Sequence, residues 1–272
     1  MWGSSYVASK LCILGGMQPF ETLFYRFFAG AVIIGVLFRK KIFPIPKKLI
    51  LPGVCIGLSY AIAFIFEIYG LGSTDASKAS FLTSMNIVFF SLMYCVAKRI
   101  TIRLHTILAF TLSMVGVGLL SLTAGFGKVA IGDLMLLMTA LGYGVGGLIT
   151  ALKCQNYSSL QVVWLQFTTT AVLTGVLALF QGSGAPFPVS AYVALAFLIA
   201  LPTIVCFFIK AESMKHISPI LCALLFSTMC VFGAIASFLL LHERPTPRAL
   251  LGALLITVGI VIESLFPVED QI

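Results

Sequence analysis

Apolar runs of roughly 18 or more residues recur along this sequence, each long enough for a helix to cross a bilayer. Between them stand FRKKIFPIPKK, GLGSTD, AKRITIR, AGFGK, KCQNYSS, QGSGAPFP, ESMKHISP and HERPTP, clusters of Gly, Pro and charge of the kind that loops between spans require. Such runs are too long for the alternating strands of a barrel. Only 10% of the 272 residues are charged, with a mean hydropathy of +1.10, whereas a soluble domain carries about 25% charged residues. The chain is therefore expected to be an all-α integral membrane protein. The punctuation places ten spans, at about 1–15, 19–38, 48–70, 76–97, 103–122, 131–152, 158–180, 188–210, 217–241 and 247–266.

Charge sets the orientation. With the N-terminus in the cytoplasm, eleven Lys and Arg fall on the cytoplasmic side: Arg39, Lys40, Lys41, Lys47, Lys48, Lys98, Arg99, Arg103, Lys153, Lys210 and Lys215. Four fall outside: Lys78, Lys128, Arg244 and Arg248. That asymmetry predicts both termini inside and an even number of spans. The net charge of +8 forms no basic stripe interleaved with aromatics, so nucleic acid is not an expected partner; the lipid bilayer is. The opening MWGSSYVASKLCILGG carries Lys10 within its apolar run rather than ahead of it, which argues for a first membrane helix and against a cleaved signal. The seven cysteines form no C-x-x-C pair and fit as small apolar packers, and His105, His216 and His242 form no ligand cluster. Neither a metal nor a cofactor is expected.

The two halves resemble each other. SMNIVFFSLMY, AKRITIR and MVGVGLL in 84–122 correspond to STMCVFGAIAS, HERPTPR and TVGIVIES in 227–265. PFETLFYRFFAGAV likewise matches SLQVVWLQFTTTAV, with Glu21 over Gln161 and Arg26 over Gln166. Five spans per half is an odd number, so the second half would enter the membrane inverted. Two inverted five-helix repeats, at 1–124 and 130–266 with a short cytoplasmic tail at 267–272, suggest alternating access with a substrate site near the midplane.

WGSSYVASK, PFETLFYRFFAG, IGDLMLLMTALGYG and HERPTPRALLGALLITVGIVI, in this order across two repeats, resemble the EamA-type permeases of the drug/metabolite transporter superfamily. The resemblance covers essentially the whole chain. It implies a carrier of a small metabolite in a bacterial inner (plasma) membrane, usually an exporter, with a cavity lined by spans 1, 3, 4, 6, 8 and 9. It also implies that spans 5 and 10 take part in dimer contacts in some members, so a homodimer is among the expected partners. The sequence departs from that pattern in three places. Only Met1 precedes the WG motif, where the family has about ten apolar residues; 15 residues reach about 23 Å, short of a ~30 Å core, so the first helix is either short or begins upstream. The proline often found partway along spans 4 and 9 is missing from SMNIVFF and TMCVFGA. Glu243, the acid after span 9, has Lys98 as its counterpart in the first half.

Ionisable residues inside spans are costly and are functional candidates for that reason. Lys10, Glu21, Arg26 and Glu67 fall toward the outer ends of their spans, where two bases and two acids could neutralise one another; Lys210 is the counterpart of Glu67. Lys10, Glu21, Arg26 and Glu67 are the gating or coupling candidates, with structural ion pairing the competing account for Glu21 and Arg26. Glu67 is expected to contact a substrate ammonium or to carry a coupling proton. Tyr60, Phe64 and Glu67 share one helical face, and Thr203, Phe207 and Lys210 repeat the spacing. An aromatic face bearing one charge suits an organic substrate with an apolar body. Thr83, Asn86 and Ser227 in spans 4 and 9, and Trp2, Ser5 and Tyr143 in spans 1 and 6, complete the expected substrate-binding set. The G-x-x-x-G pairs Gly53/Gly57 and Gly142/Gly146, with Gly116, Gly252 and Gly259, are expected to bring helices close, within the fold or across a dimer. Asp133 is expected as the N-cap of span 6.

No phosphate-binding G-x-x-x-x-G-K-[ST] loop occurs, nor any Ser–His, H-E-x-x-H or paired-aspartate set, so neither ATP hydrolysis nor an enzyme is expected. The expected function is export of a small organic metabolite, an amino acid and preferably an aromatic one. The alternative is an importer or exchanger of nucleosides, nucleotide sugars or quaternary amines. A phosphate-bearing substrate should need more buried cations than Lys10, Arg26 and Lys210.

Overall fold

A computed structural model describes residues 5, 8–9, 11–13, 15–71, 82–121, 131–181, 187–228 and 247–266. Trp2, Lys10, Lys78, Lys128, Cys230, His242, Glu243, Arg244, most of the ninth expected span and the 267–272 tail lie outside them. The described residues are helical throughout, with no strand among them. The labelled helices are α1 (Pro19–Leu37), α2 (Arg39–Ile42), α3 (Lys47–Leu71), α4 (Asn86–Lys98) and α5 (Leu104–Ser121). They continue with α6 (Ile131–Lys153), α7 (Ser159–Gln181), α8 (Val189–Leu198), a π-helical segment (Ile199–Val205), α9 (Cys206–His216), α10 (Pro219–Leu225) and α11 (Pro247–Leu265). Five described stretches are long and apolar enough to cross a membrane: Pro19–Leu37, Lys47–Gly70, Ile131–Lys153, Ser159–Gln181 and Val189–His216. Shorter apolar helices cover Leu82–Lys98, Leu104–Leu119 and Leu250–Leu265.

Local chemistry sets the helix ends. Pro19 opens α1 at a position that needs no N–H, and the Gln18 N–H donates to Glu21 Oε2 at 3.4 Å across the first turn. Ser218 caps α10 by accepting from the Leu221 N–H at 3.2 Å, with Pro219 following it. α4 closes on Arg99 at φ 56°, with the Ile100 N–H donating to the Cys95 carbonyl at 2.9 Å in a Schellman-type end. Asp133 is buried inside the first turn of α6, which already runs from Ile131; it is not the residue that precedes the helix.

The chain forms two compact units. The first holds residues 1–65 and 149–215, and there α1 packs along α7. Glycines permit the approach: a Cβ on Gly30 would meet the Phe167 ring at 3.1 Å, and one on Gly175 would meet Phe24 at 2.8 Å. Gly53 and Gly57 do the same for α3, where a Cβ would lie 2.6 Å from Leu165 and 2.5 Å from Thr169. Thr170 of α7 then donates its hydroxyl to the Gly57 carbonyl at 3.1 Å. Residues of the N-terminal helical stretch, Ala8 and Cys12, join Ala191, Leu195 and Leu198 of α8 in a buried apolar cluster.

The second unit holds residues 66–148 and 216–272. Its central pair is α5 and α11, packed where a Cβ on Gly116 would lie 2.6 Å from the Gly252 carbonyl and one on Gly259 would lie 2.5 Å from Ser113 Oγ. These three glycines therefore serve contact inside the fold. Gly144 and Gly147 of α6 make room for Phe90 of α4, while Gly70 seats the end of α3 on Leu136.

Candidate functional site

The first unit sets one buried and one half-buried cation against aromatic rings. Arg26 lies seven residues inside α1, 5% exposed, with its guanidinium 5.3 Å from the centroids of both Phe27 and Phe64. Both distances fall within cation–π range. Its Nε donates to Thr203 Oγ1 at 2.5 Å. Thr203 is placed to accept because of its neighbour. Pro202 has no N–H to give the Leu198 carbonyl four residues back, and the Thr203 hydroxyl donates to that carbonyl instead, at 2.8 Å. The backbone widens here into the π segment, as helices do where an inserted side chain or a proline interrupts the ladder.

Around this pair the rings of Phe27, Phe64, Phe167, Phe207 and Tyr60 pack in tilted and edge-on contacts. Phe27 lies 5.0 Å from Phe64 and 5.6 Å from Phe167, and Phe207 lies 5.6 Å from Phe167 and 5.4 Å from Tyr60. Half-buried Lys210 donates from Nζ to the Tyr60 hydroxyl. That bond holds the ammonium off the ring's edge, 5.0 Å from its centroid, so the contact is a hydrogen bond and not a stacked cation. All five rings are buried, so the cluster is closed in this state. A more open space, a groove of about 720 Å³ along α1 and α7, is lined by other residues.

In the second unit, Tyr143 of α6 donates its hydroxyl to Glu67 Oε2 near the end of α3. Both side chains are half-buried. α10 packs on α4, and each adjoins a turn. Helical residues 82–84 are separated from α4 by a turn at Met85, and α10 gives way to a turn at Phe226–Ser227. Neither break has a proline. Thr83 and Ser227 are buried beside the breaks, and Asn86 is half-buried as the first residue of α4. Ser227 donates to the Leu224 carbonyl at 2.7 Å; Thr83 Oγ1 has no hydrogen-bond partner among the described residues.

The structure thus brings Arg26, Tyr60, Phe64, Phe207 and Lys210 together in one unit, and Glu67, Tyr143, Thr83, Asn86 and Ser227 in the other. Glu21 is 5% exposed in the first turn of α1 and engaged with the Gln18 N–H. Ser5 is half-buried in the N-terminal helical stretch. Lys10, the expected neutraliser of the acids, lies outside the described residues. Phe27, Phe167 and the hydroxyl of Thr203 escaped the sequence reading. The Pro202–Thr203 pair was their available signal, since a threonine next to a mid-span proline marks a carbonyl that needs a new donor.

Cys154, just past α6, is buried, which pushes its thiol up from 9.0 to about 11. Near the same turn the Gln155 side chain donates to the carbonyls of Ala151 and Met214, each at 3.0 Å, tying the loop to the end of α9.

Comparison with known proteins agrees with a helical membrane carrier. The profile of the EamA-like transporter family matches residues 1–122 and 130–265. A protein of Archaeoglobus fulgidus named as an uncharacterized transporter is 25% identical over 268 residues, covering 97% of this chain and 82% of that protein. A solved crystal structure superposes with a TM-score of 0.81 at 18% identity, over 97% of this chain and 92% of the other, a likeness of fold. With almost the whole sequence matched by the family profile, the chain belongs to the EamA-like transporter family and is a multi-pass membrane transporter, not an enzyme.

Proposed function

We propose that the protein exports a small zwitterionic metabolite, an aromatic amino acid in preference, by alternating access of two inverted five-helix repeats in a bacterial inner membrane. Both termini lie in the cytoplasm in this reading. The observation that carries it is the pairing of aromatic rings with buried Arg26 and half-buried Lys210 in the first unit. Phe64, Phe207 and Tyr60 offer faces to an apolar body, while Arg26 and Lys210 offer donors to a carboxylate. Arg26 donates to the Thr203 hydroxyl and Lys210 to the Tyr60 hydroxyl, contacts that a substrate carboxylate would compete for. Glu67, which accepts from the Tyr143 hydroxyl within the second unit, is the group suited to a coupling proton. Thr83, Asn86 and Ser227 stand beside the turns at Met85 and Phe226–Ser227 and add polar groups to the proposed lining. Two cations among the rings, one of them buried, favour this over quaternary amines as substrate.

Counterflow in proteoliposomes tests the reading. Labelled phenylalanine or tryptophan is placed outside and excess unlabelled compound inside. Saturable accumulation is expected, with a raised KM in Lys210→Met. Exchange of nucleosides or quaternary amines but not of amino acids would replace this substrate class with the alternative one.

A further inference from the structure

We propose that the groove along α1 and α7 is a seat for one anionic phospholipid of the cytoplasmic leaflet, with an acyl chain in the groove and the phosphate on Arg39. The groove has a volume of about 720 Å³ and is lined wholly by residues of the first unit. Phe28, Val32, Val36 and Val172 form its apolar walls and remain 45–71% exposed in the folded chain. Gly35 lowers its floor, since a Cβ there would lie 2.8 Å from Trp164 Nε1. Phe43 packs edge-on against Trp164 at 5.2 Å, closing the end of the groove beside Arg39.

Charge and depth name the occupant. Arg39 is the one cation lining the groove; it has no ion-pair partner among the described residues, and Lys40 and Lys41 follow it in the same short helix. From Phe24 to Val36 the helix rises about 18 Å, slightly more than the ~15 Å hydrocarbon depth of one leaflet. An acyl chain and its headgroup have this profile, apolar along a leaflet and anionic at the interface. A basic pocket between membrane helices is the type of surface that holds anionic headgroups. A second copy of the chain fits less well. A two-fold axis along the membrane normal would bring Arg39, Lys40 and Lys41 against the same three residues at the same depth.

The test uses the full chain reconstituted in nanodiscs of equimolar phosphatidylcholine and phosphatidylglycerol. It is then extracted in mild detergent and its retained lipid counted by native mass spectrometry. Wild type should keep one phosphatidylglycerol per chain in preference to phosphatidylcholine. Arg39→Gln should lower that retention roughly tenfold through loss of a charge-assisted contact. Val32→Trp, which fills the groove and leaves Arg39 in place, should lower it as well. Both substitutions are at exposed positions, and an unchanged elution profile checks folding. Retention unaffected by Val32→Trp, equal retention of the two lipids, or a dimer cross-linked through Val172→Cys would each overturn the proposal.

Discussion

Arg26 donates to the Thr203 hydroxyl at 2.5 Å, and the same hydroxyl donates onward to the Leu198 carbonyl at 2.8 Å. One oxygen therefore repairs the backbone gap left by Pro202 and holds a buried cation in place. Thr203→Val should lower unfolding stability in detergent by about 1.5–3 kcal/mol, the range for a lost bond to a charged group, while Thr203→Ser should keep most of it. A thermal-unfolding series compares the two; equal losses would show that the methyl, not the hydroxyl, matters.

Glu67 and Tyr143 form the second pair. If Glu67 carries a coupling proton, Glu67→Gln should abolish the pH dependence of transport while leaving exchange at equal pH. Tyr143→Phe removes the donor and should shift that dependence without abolishing it. Transport assays at several imposed pH gradients separate these outcomes, and unchanged dependence in Glu67→Gln would assign the carboxylate a packing role.

Gly57 sits where a Cβ would lie 2.5 Å from Thr169 Cβ and 2.9 Å from the Gln166 carbonyl. Gly57→Ala should force α3 away from α7, at about 1–3 kcal/mol for overpacking. Gly16 has open space but a φ of +91°, so Gly16→Ala should cost about 1–2 kcal/mol through backbone strain alone. Unfolding midpoints of the two single variants read both costs, and an unchanged midpoint in Gly57→Ala would overturn the packing account.

The Cys154 thiol, 2% exposed and raised to about 11, is almost wholly protonated at pH 8. Because the thiolate is the reactive form, Cys154 should resist iodoacetamide in the folded protein and react after unfolding. Peptide mass spectrometry reads the modification; rapid labelling of the native chain at pH 8 would contradict the buried placement.

The helical, membrane-crossing character was legible because it depends on run length and punctuation, which single residues scarcely disturb. The glycine contacts were legible in kind: Gly53 and Gly57 were marked by spacing, and the structure supplies Leu165 and Thr169 as their partners. The candidate site was legible by residue type but not by pairing. Helical periodicity put Tyr60 and Phe64 on one face, yet nothing in it could join Tyr60 to Lys210, 150 residues away, or Glu67 to Tyr143, 76 residues away. Glu263, absent from the expected set, is fully buried on α11, one turn beyond the glycine that meets α5. The burial of Arg26 among phenylalanines was not legible, because Phe167 and Phe207 stand more than 140 residues from it in the sequence.

The π segment has a consequence for how the second half of the chain aims its side chains. An extra residue in a turn advances everything after it by about 100° relative to an unbroken α-helix. The directions of Phe207 and Lys210 are thus set by a phase offset in Ile199–Val205 and not by their own identities. Deleting one residue from that segment would keep every residue of the cluster and rotate two of them out of it. Descendants of this chain can therefore retune what it carries by an indel, with no substitution in the cluster at all.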